Sequence, residues 1–376
     1  MNYDFSEQEQ QNIAEVGRVV RAAVDAAKPD GPMTPATVRS LIKGLLADLS
    51  PTGYNSAGLS REEPLDSAAM ASMEAFAGAA PEIFLTFEMS LRIMGRLIDR
   101  YGSGEQRQSF LEPLRSGEKI GAVGLSEESL NVVNDPLSTS GVRHDGMIRV
   151  SGRKGLVIGG AVADVVAVIG RLDDGLGVFL IDKTADGLIM DDYPAGHGYG
   201  PPAAGRLTLE NCQVSPEAVI GPVEERQLLA DLKTWEDQVM MAAAVGVMGS
   251  ALLNATSYAK THKSGGKPVI AYQAVGFKLA ELYTLVQTSQ LMAYKAAWLE
   301  SIRDRELPSF TRCAKVFCTD AAETVSSGAL SILSAEGFVP DSPVAAACQW
   351  AKFLQVAGTS TEIARVEVGD FALTRR

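Results

Sequence analysis

Residues 237–262 read DQVMMAAAVGVMGSALLNATSYAKTH, and residues 271–304 read AYQAVGFKLAELYTLVQTSQLMAYKAAWLESIRD. Both stretches are rich in Ala and apolar over much of a helical circumference. A helix of that kind cannot present one polar face to water, so it needs neighbours on several sides, as in an antiparallel bundle or a helical oligomer interface. Residues 309–338 and 342–357 supply two further helical stretches, and residues 223–376 are predicted to form a C-terminal four-helix bundle.

The opening of the chain is helical in a more ordinary way. Ile13, Val16, Val19, Val20 and Val24 recur close to a 3.6 period, and Ser6 with Glu9 forms a capping signal ahead of them. Residues 34–49 and 66–102 continue in that mode, the second ending at Gly102. Residues 1–120 are therefore expected to be an N-terminal helical domain. The pattern then changes. From residue 146 short runs of Val, Ile and Leu recur every 8 to 12 residues, separated by His-Asp-Gly, Asp-Asp-Gly and Ala-Asp-Gly turns. Residues 121–222 are expected to be a middle, antiparallel, β-barrel-like domain, closed by one more strand pair within 205–222. The fold class is α+β.

Bulk properties exclude several functions. The formal net charge is −12, which leaves no electrostatic footprint for nucleic acid or an anionic membrane. No signal-like segment opens the chain and no uninterrupted apolar run reaches the length of a membrane span, so a cytoplasmic location is expected. Cys212, Cys313, Cys318 and Cys348 match no zinc spacing, and only His144, His197 and His262 could assist them. They read as buried thiols in a reducing compartment.

Five strings spread along the chain carry more information: FLEPLRSGEKIGAVGLSEE at 110–128, VSGRKGLVIGGAVADVVAV at 150–168, LTLENCQVSPEAVIGP at 207–222, YAKTHKSGGKPVIAYQAVGFKLAELYT at 258–284 and AGTSTEIAR at 357–365. With the order helical, β, helical, they resemble the acyl-CoA dehydrogenase family. The resemblance implies the fold just described, bound FAD, and α,β-desaturation of an acyl-CoA thioester. In that chemistry a carboxylate removes the α-proton while flavin N5 accepts a hydride from the β-carbon, and hydrogen-bond donors stabilise charge on the thioester oxygen. It further implies an electron-transfer flavoprotein or similar acceptor, and a homo- or heterotetramer.

Carried over residue by residue, the resemblance is uneven. Most of the family has a glutamate before Gly-Thr-Ser, and here that position is Ala357. The isovaleryl-CoA dehydrogenase type has a small residue there and its base on the first helix of the bundle; ten residues before Gly246, the same separation as in that branch, stands Glu236. The same stretch also reads as a helix start, with Thr234 and Asp237 as a capping box and Glu236 as a first-turn acid. Asp237 itself stands where the family has arginine. Leu125, Ser126, Val157, Ile158, Gln273 and Thr359 fall at cofactor-contacting positions, with Ser126 keeping the hydroxyl that binds the flavin pyrimidine.

Other positions depart from the family pattern. Leu156 replaces a tryptophan and Ile158 a threonine on the flavin side. On the ADP side His262 replaces an arginine, Gly265 a phenylalanine, Ser331 a glutamine, and Ser334 with Ala335 a Gly-Gly pair, so those contacts look eroded. Val132 and Val133 interrupt a string that contacts the pantetheine of CoA. Ala357 and Gly265 leave volume for a branched or bulky acyl group. Two other functions fit the same pattern: a non-catalytic or cofactor-poor subunit paired with an FAD-binding paralogue, or a flavoprotein with altered acyl-CoA chemistry.

Overall fold

In a computed structural model the chain is described over residues 5–27, 33–127, 136–193, 201, 203–339 and 342–374. Val132, Val133 and His197 lie outside the described residues. The first part is helical: α1 (Glu7–Ala26), α2 (Pro35–Leu49), α3 (Ser67–Ala79), α4 (Pro81–Glu88), α5 (Met94–Tyr101), α6 (Gly104–Gln106) and α7 (Glu112–Ser116). Ser6 and Glu9 make the capping box of α1, satisfying two of the orphan donors at its start. The long stretch up to Gly102 is not one helix. Ala80 is extended before Pro81, as a residue preceding proline tends to be, and this separates α3 from α4. Met89–Ile93 then adopts a π-turn that joins α4 to α5.

The middle part contains β1 (Gly121–Gly124), β2 (Ser140–His144), β3 (Met147–Val157), β4 (Val165–Leu172), β5 (Gly175–Asp182), β6 (Leu188–Asp192), β7 (Gly205–Val214) and β8 (Val219–Val223). They form one sheet in the order β6-β7-β3-β2-β4-β5-β8, with β1 also paired to β4. Most pairings are antiparallel, and β1–β4 and β2–β4 are parallel. The β2–β3 hairpin turns through Asp145 and Gly146, both at positive φ, the arrangement that matches strand twist. β7 and β8 are not partners of one another, contrary to the strand pair expected from the sequence. β7 pairs β3 and β6 while β8 pairs β5, because the short turn Pro216–Ala218 redirects the chain to the other end of the sheet. One face of the sheet closes over Val150, Val166, Val168, Phe179, Leu207 and Cys212; the other joins the helical core.

The last part holds α8 (Glu225–Thr261), a hairpin of β9 (Lys263–Ser264) and β10 (Lys267–Pro268), α9 (Gln273–Ser301), α10 (Leu307–Leu333), α11 (Pro343–Val356) and α12 (Thr361–Thr374). The helix α8 packs against α3, α9, α10 and α11, which answers its all-round apolarity. Among the described residues it is the one helix long and apolar enough to cross a membrane, and 67% of its most apolar window is buried within the protein. Its start differs from the capping-box expectation. Glu224 caps it by accepting from the N–H groups of Arg226 and Gln227, and the Thr234 hydroxyl back-bonds to the carbonyl of Ala230. Glu236 is therefore a mid-helix residue and not a first-turn acid. Residues 361–374, a short polar–apolar alternation in sequence, form a fifth helix of this part.

Candidate active site

Two groups of side chains stand out, one at the end of β1 and β3, the other on α8. In the first, the chain leaves β1 through Leu125, Ser126 and Glu127. The Lys154 ammonium, fully buried, donates to the carbonyl of Leu125 at 3.0 Å and to Glu127 Oε1 at 2.9 Å. Gly155 N–H donates to the Ser126 carbonyl at 2.9 Å. Farther along β3, Val157 is buried against Gly124, and Ile158 is half-buried. The structure thus brings Leu125, Ser126, Val157 and Ile158 into one locality. Gly159, which follows, has φ of 76°, and a Cβ there would lie 2.9 Å from Thr86 Cγ2 on α4, so glycine is needed on both counts.

Glu127 is the anchor of this group. Burial pushes its carboxyl up, but hydrogen bonds from Ser138, Thr139 and Lys154 outweigh that and hold it at about 2.

In the second group Glu236 projects from α8 beside the turn that ends α11. Ala357 closes that helix in an extended conformation, and Gly358 follows with φ of 63°. A Cβ on Gly358 would lie 3.6 Å from Glu236 Cβ and 3.2 Å from Asp237 Oδ1. Gly358, next to Ala357, thus packs against the backbone end of the Glu236 side chain. Burial, then the charge of Asp237, push the Glu236 carboxyl up to about 7, against the pull of Arg312, Lys315 and Lys233. Among the described residues no group donates a hydrogen bond to it.

Asp237, the next residue, is fully engaged. Fully buried, it accepts from Thr359 N–H at 3.2 Å and from the Arg312 guanidinium on α10. Burial pushes its proton affinity up, and Arg312 and Lys315 pull it back; beside a permanently charged guanidinium the ionised carboxylate is the form that fits. Arg312 also pairs with Glu367 of α12 at 2.7 Å, and Lys233 meets the same carboxylate at 2.9 Å. Lys315, with no exposed surface, donates to the carbonyls of Gln355 and Thr359. The guanidinium of this pair is thus supplied from α10, by Arg312, and the carboxylate from α8, by Asp237.

Arg312 and Lys315 did not emerge from the sequence. Two cations three residues apart in the otherwise apolar run TRCAKVFC were the available signal, since buried charges need partners.

Gln273 and the positions that the resemblance assigns to the ADP side lie at other ends of the bundle. Gln273 is exposed as the first residue of α9. His262 follows α8 and stacks on Tyr258, ring centroids 4.5 Å apart. Gly265 and Gly266 form the two-residue loop of the β9–β10 hairpin at φ of 59° and 83°, a conformation that disfavours any side chain there. Gly265 consequently does not border Glu236, as the bulky-substrate argument expected: α8 alone carries the chain about 39 Å between Glu236 and His262. Ser331 spends its hydroxyl on the Ser327 carbonyl. Ser334 keeps a positive φ of 54° without being glycine.

These positions can be tested against a dinucleotide cofactor. Thr359 is 5% exposed and its Oγ1 has no hydrogen-bond partner among the described residues, an unfilled polar contact in the turn that Asp237 holds. Around β1 and β3 an apolar wall and the half-buried Ser126 suit a flavin ring. On the ADP side the backbone turn at Ser334 persists while the guanidinium fork is gone.

Comparison with known proteins agrees with the order of elements. Residues 234–373 match the family described as Acyl-CoA dehydrogenase, C-terminal domain. The chain is 25% identical over 285 residues to benzylmalonyl-CoA dehydrogenase of Aromatoleum aromaticum, covering 73% of this chain and 74% of that protein. Butyryl-CoA dehydrogenase of Megasphaera elsdenii superposes with a TM-score of 0.86 at 21% identity, covering 99% of this chain and 100% of that one. A chain of the ChsE4–ChsE5 complex from Mycobacterium tuberculosis gives 0.79 at 22% identity, with full coverage of both. At those identities the two solved structures speak for the fold alone.

Proposed function

The chain belongs to the acyl-CoA dehydrogenase family, whose members use FAD, and we propose that it desaturates a branched or bulky acyl-CoA thioester with Glu236 as the base. The observation that carries this reading is the carboxyl of Glu236. Its side chain leaves α8 beside Gly358, and the carboxyl receives no hydrogen bond from the described residues and has its proton affinity raised to about 7. A base poised near neutrality combines the ionised form with real proton affinity, which is what α-proton abstraction requires. Ala357 adds no side chain beyond Cβ, which leaves room for a branched acyl group beside the carboxylate.

FAD would supply the hydride-accepting redox chemistry that no side chain offers. Ser126 would hydrogen-bond its pyrimidine edge, Leu125, Val157 and Ile158 would wall the ring, and the unpartnered Thr359 hydroxyl would meet the cofactor next to Glu236. Gln273 belongs to the outer half of the site. An electron-transfer flavoprotein or similar acceptor would be its redox partner, and a homo- or heterotetramer in the cytoplasm its working form.

The ADP side favours a second reading. With His262 in place of a guanidinium and Ser334 in place of glycine, this chain would be the cofactor-poor subunit of a heteromeric dehydrogenase, and the ChsE4–ChsE5 complex is a solved assembly of this fold.

The visible spectrum of the chain purified alone separates the two. A yellow protein with bound FAD that bleaches on adding a branched acyl-CoA supports the first. A colourless chain that takes up no FAD overturns it and leaves the subunit reading. A yellow chain that no acyl-CoA bleaches overturns desaturation and leaves altered acyl-CoA chemistry.

A further inference from the structure

The turn before α12 is held by more polar groups than a four-residue connection needs. Asp237 accepts the Thr359 N–H from the α8 side. From the α10 side the Lys315 ammonium donates to the carbonyls of Gln355 and Thr359, and from the start of α12 the Thr361 hydroxyl adds a second bond to the Gln355 carbonyl. Lys315 is fully buried and, among the described residues, has no carboxylate within ion-pair distance. A buried ammonium that bonds carbonyls in place of a carboxylate is expensive, and replacing it with an apolar side chain would normally favour stability. Its cost is intelligible if the carbonyl positions matter.

We propose that Lys315 and Asp237 are positioning residues for the reaction: together they clamp the Gln355–Thr361 turn from opposite sides and seat Gly358 against the base on α8. This rests on the reading of Glu236 as that base. The clamp has a second property. Its two members carry opposite charges on either side of the same turn, so each biases the Glu236 proton in an opposite sense while serving the same geometry. The charged groups around Glu236 are Lys233 and Asp237 from α8, and Arg312 and Lys315 from α10; Glu367 of α12 ties Lys233 to Arg312, and Glu362 of α12 acts on Lys315. Because Arg312 and Lys233 share Glu367, Lys315 is the cation in this set without a carboxylate of its own.

The test titrates Glu236 directly in the full chain, by carboxyl infrared difference spectra against Glu236→Gln as the blank, in the wild type and in Lys315→Met, Asp237→Asn and Thr361→Val. No acyl-CoA turnover enters the readout. Lys315→Met is expected to raise the Glu236 midpoint and Asp237→Asn to lower it, each by roughly 1 pH unit. Thr361→Val, which loosens the turn without changing charge, is expected to leave the midpoint and to speed hydrogen exchange of the Thr359 amide about 10-fold, as the other two do. Midpoints that stay together, or shifts of one sign, overturn the inference, as does an exchange rate at Thr359 that none of the variants moves. Should Lys315→Met fail to fold, the Asp237→Asn shift and the Thr361→Val exchange rate still decide it. Activity of Glu236→Gln reports separately: a variant that desaturates normally removes the base assignment, whatever the titration gives.

Discussion

Glu127 and Glu236 are both carboxylates set close to a buried lysine, and they come out at opposite ends of the carboxyl range. Glu127 receives the N–H and hydroxyl of Ser138, the N–H of Thr139 and the ammonium of Lys154, and is held at about 2. Glu236 receives no hydrogen bond from the described residues, because Lys315 spends its donors on carbonyls and Arg312 spends its own on Asp237 and Glu367; its carboxyl rises to about 7. The nearby cation does not separate them. What does is whether donors touch the carboxylate oxygens: without them burial and the charge of Asp237 prevail over the nearby cations, and with them burial is outweighed. One acid is structural and locked in its charged form; the other is left able to exchange a proton.

Removing each acid's defining feature should break this contrast. The largest effect is expected from Glu236→Gln, a fall of about 10²–10⁴-fold in the rate of flavin bleaching by acyl-CoA, with FAD content unchanged. Next is Lys154→Met, which strands Glu127 among partners that include no cation. Urea unfolding at pH 7 should show a loss of about 3 kcal/mol. The pH dependence of stability sharpens the comparison. Glu127, with its folded proton affinity depressed, stabilises the wild type above the ordinary carboxyl range, and that contribution is lost as pH falls towards about 2.

Glu236 has the opposite sign. Its raised proton affinity makes its ionisation a cost that develops as pH rises from the ordinary carboxyl range through about 7. Glu236→Gln should accordingly be more stable than the wild type at pH 8, by roughly 1–2 kcal/mol, and nearly equal to it at pH 4. Thermal unfolding of both proteins at the two pH values checks this. The smallest effect is expected at Ser334, which is held at a φ of 54° with ψ of −132°. Ser334→Gly should stabilise the chain by about 1 kcal/mol in the same assay.

Much of the architecture was legible because hydrophobic period and turn chemistry are local. The switch from 3.6-residue periodicity to short apolar runs, and the Asp145–Gly146 turn, identified the α+β class without any tertiary information. The start of α8 was not legible, since Glu224 caps it with a side chain that sequence rules rank below Ser, Thr, Asp or Asn. Nor was the π-turn at Met89–Ile93, which has no composition of its own. In the candidate site, Glu236 and Thr359 could be found from motif spacing. The Arg312–Asp237 pair and the Lys315 clamp could not, because they join residues 75 and 44 positions apart and arise only once α8, α10 and the turn are packed.

The length of α8 has a consequence for how variants combine. Glu236 lies in the N-terminal third of this helix and His262 just beyond its C-terminal end, about 39 Å away, beyond the range over which two substitutions in one folded chain ordinarily influence each other. Within a single copy, losses caused by changing both residues should simply add. A departure from additivity between them would therefore be a signature of a second copy, with one chain's hairpin lying against another chain's carboxylate.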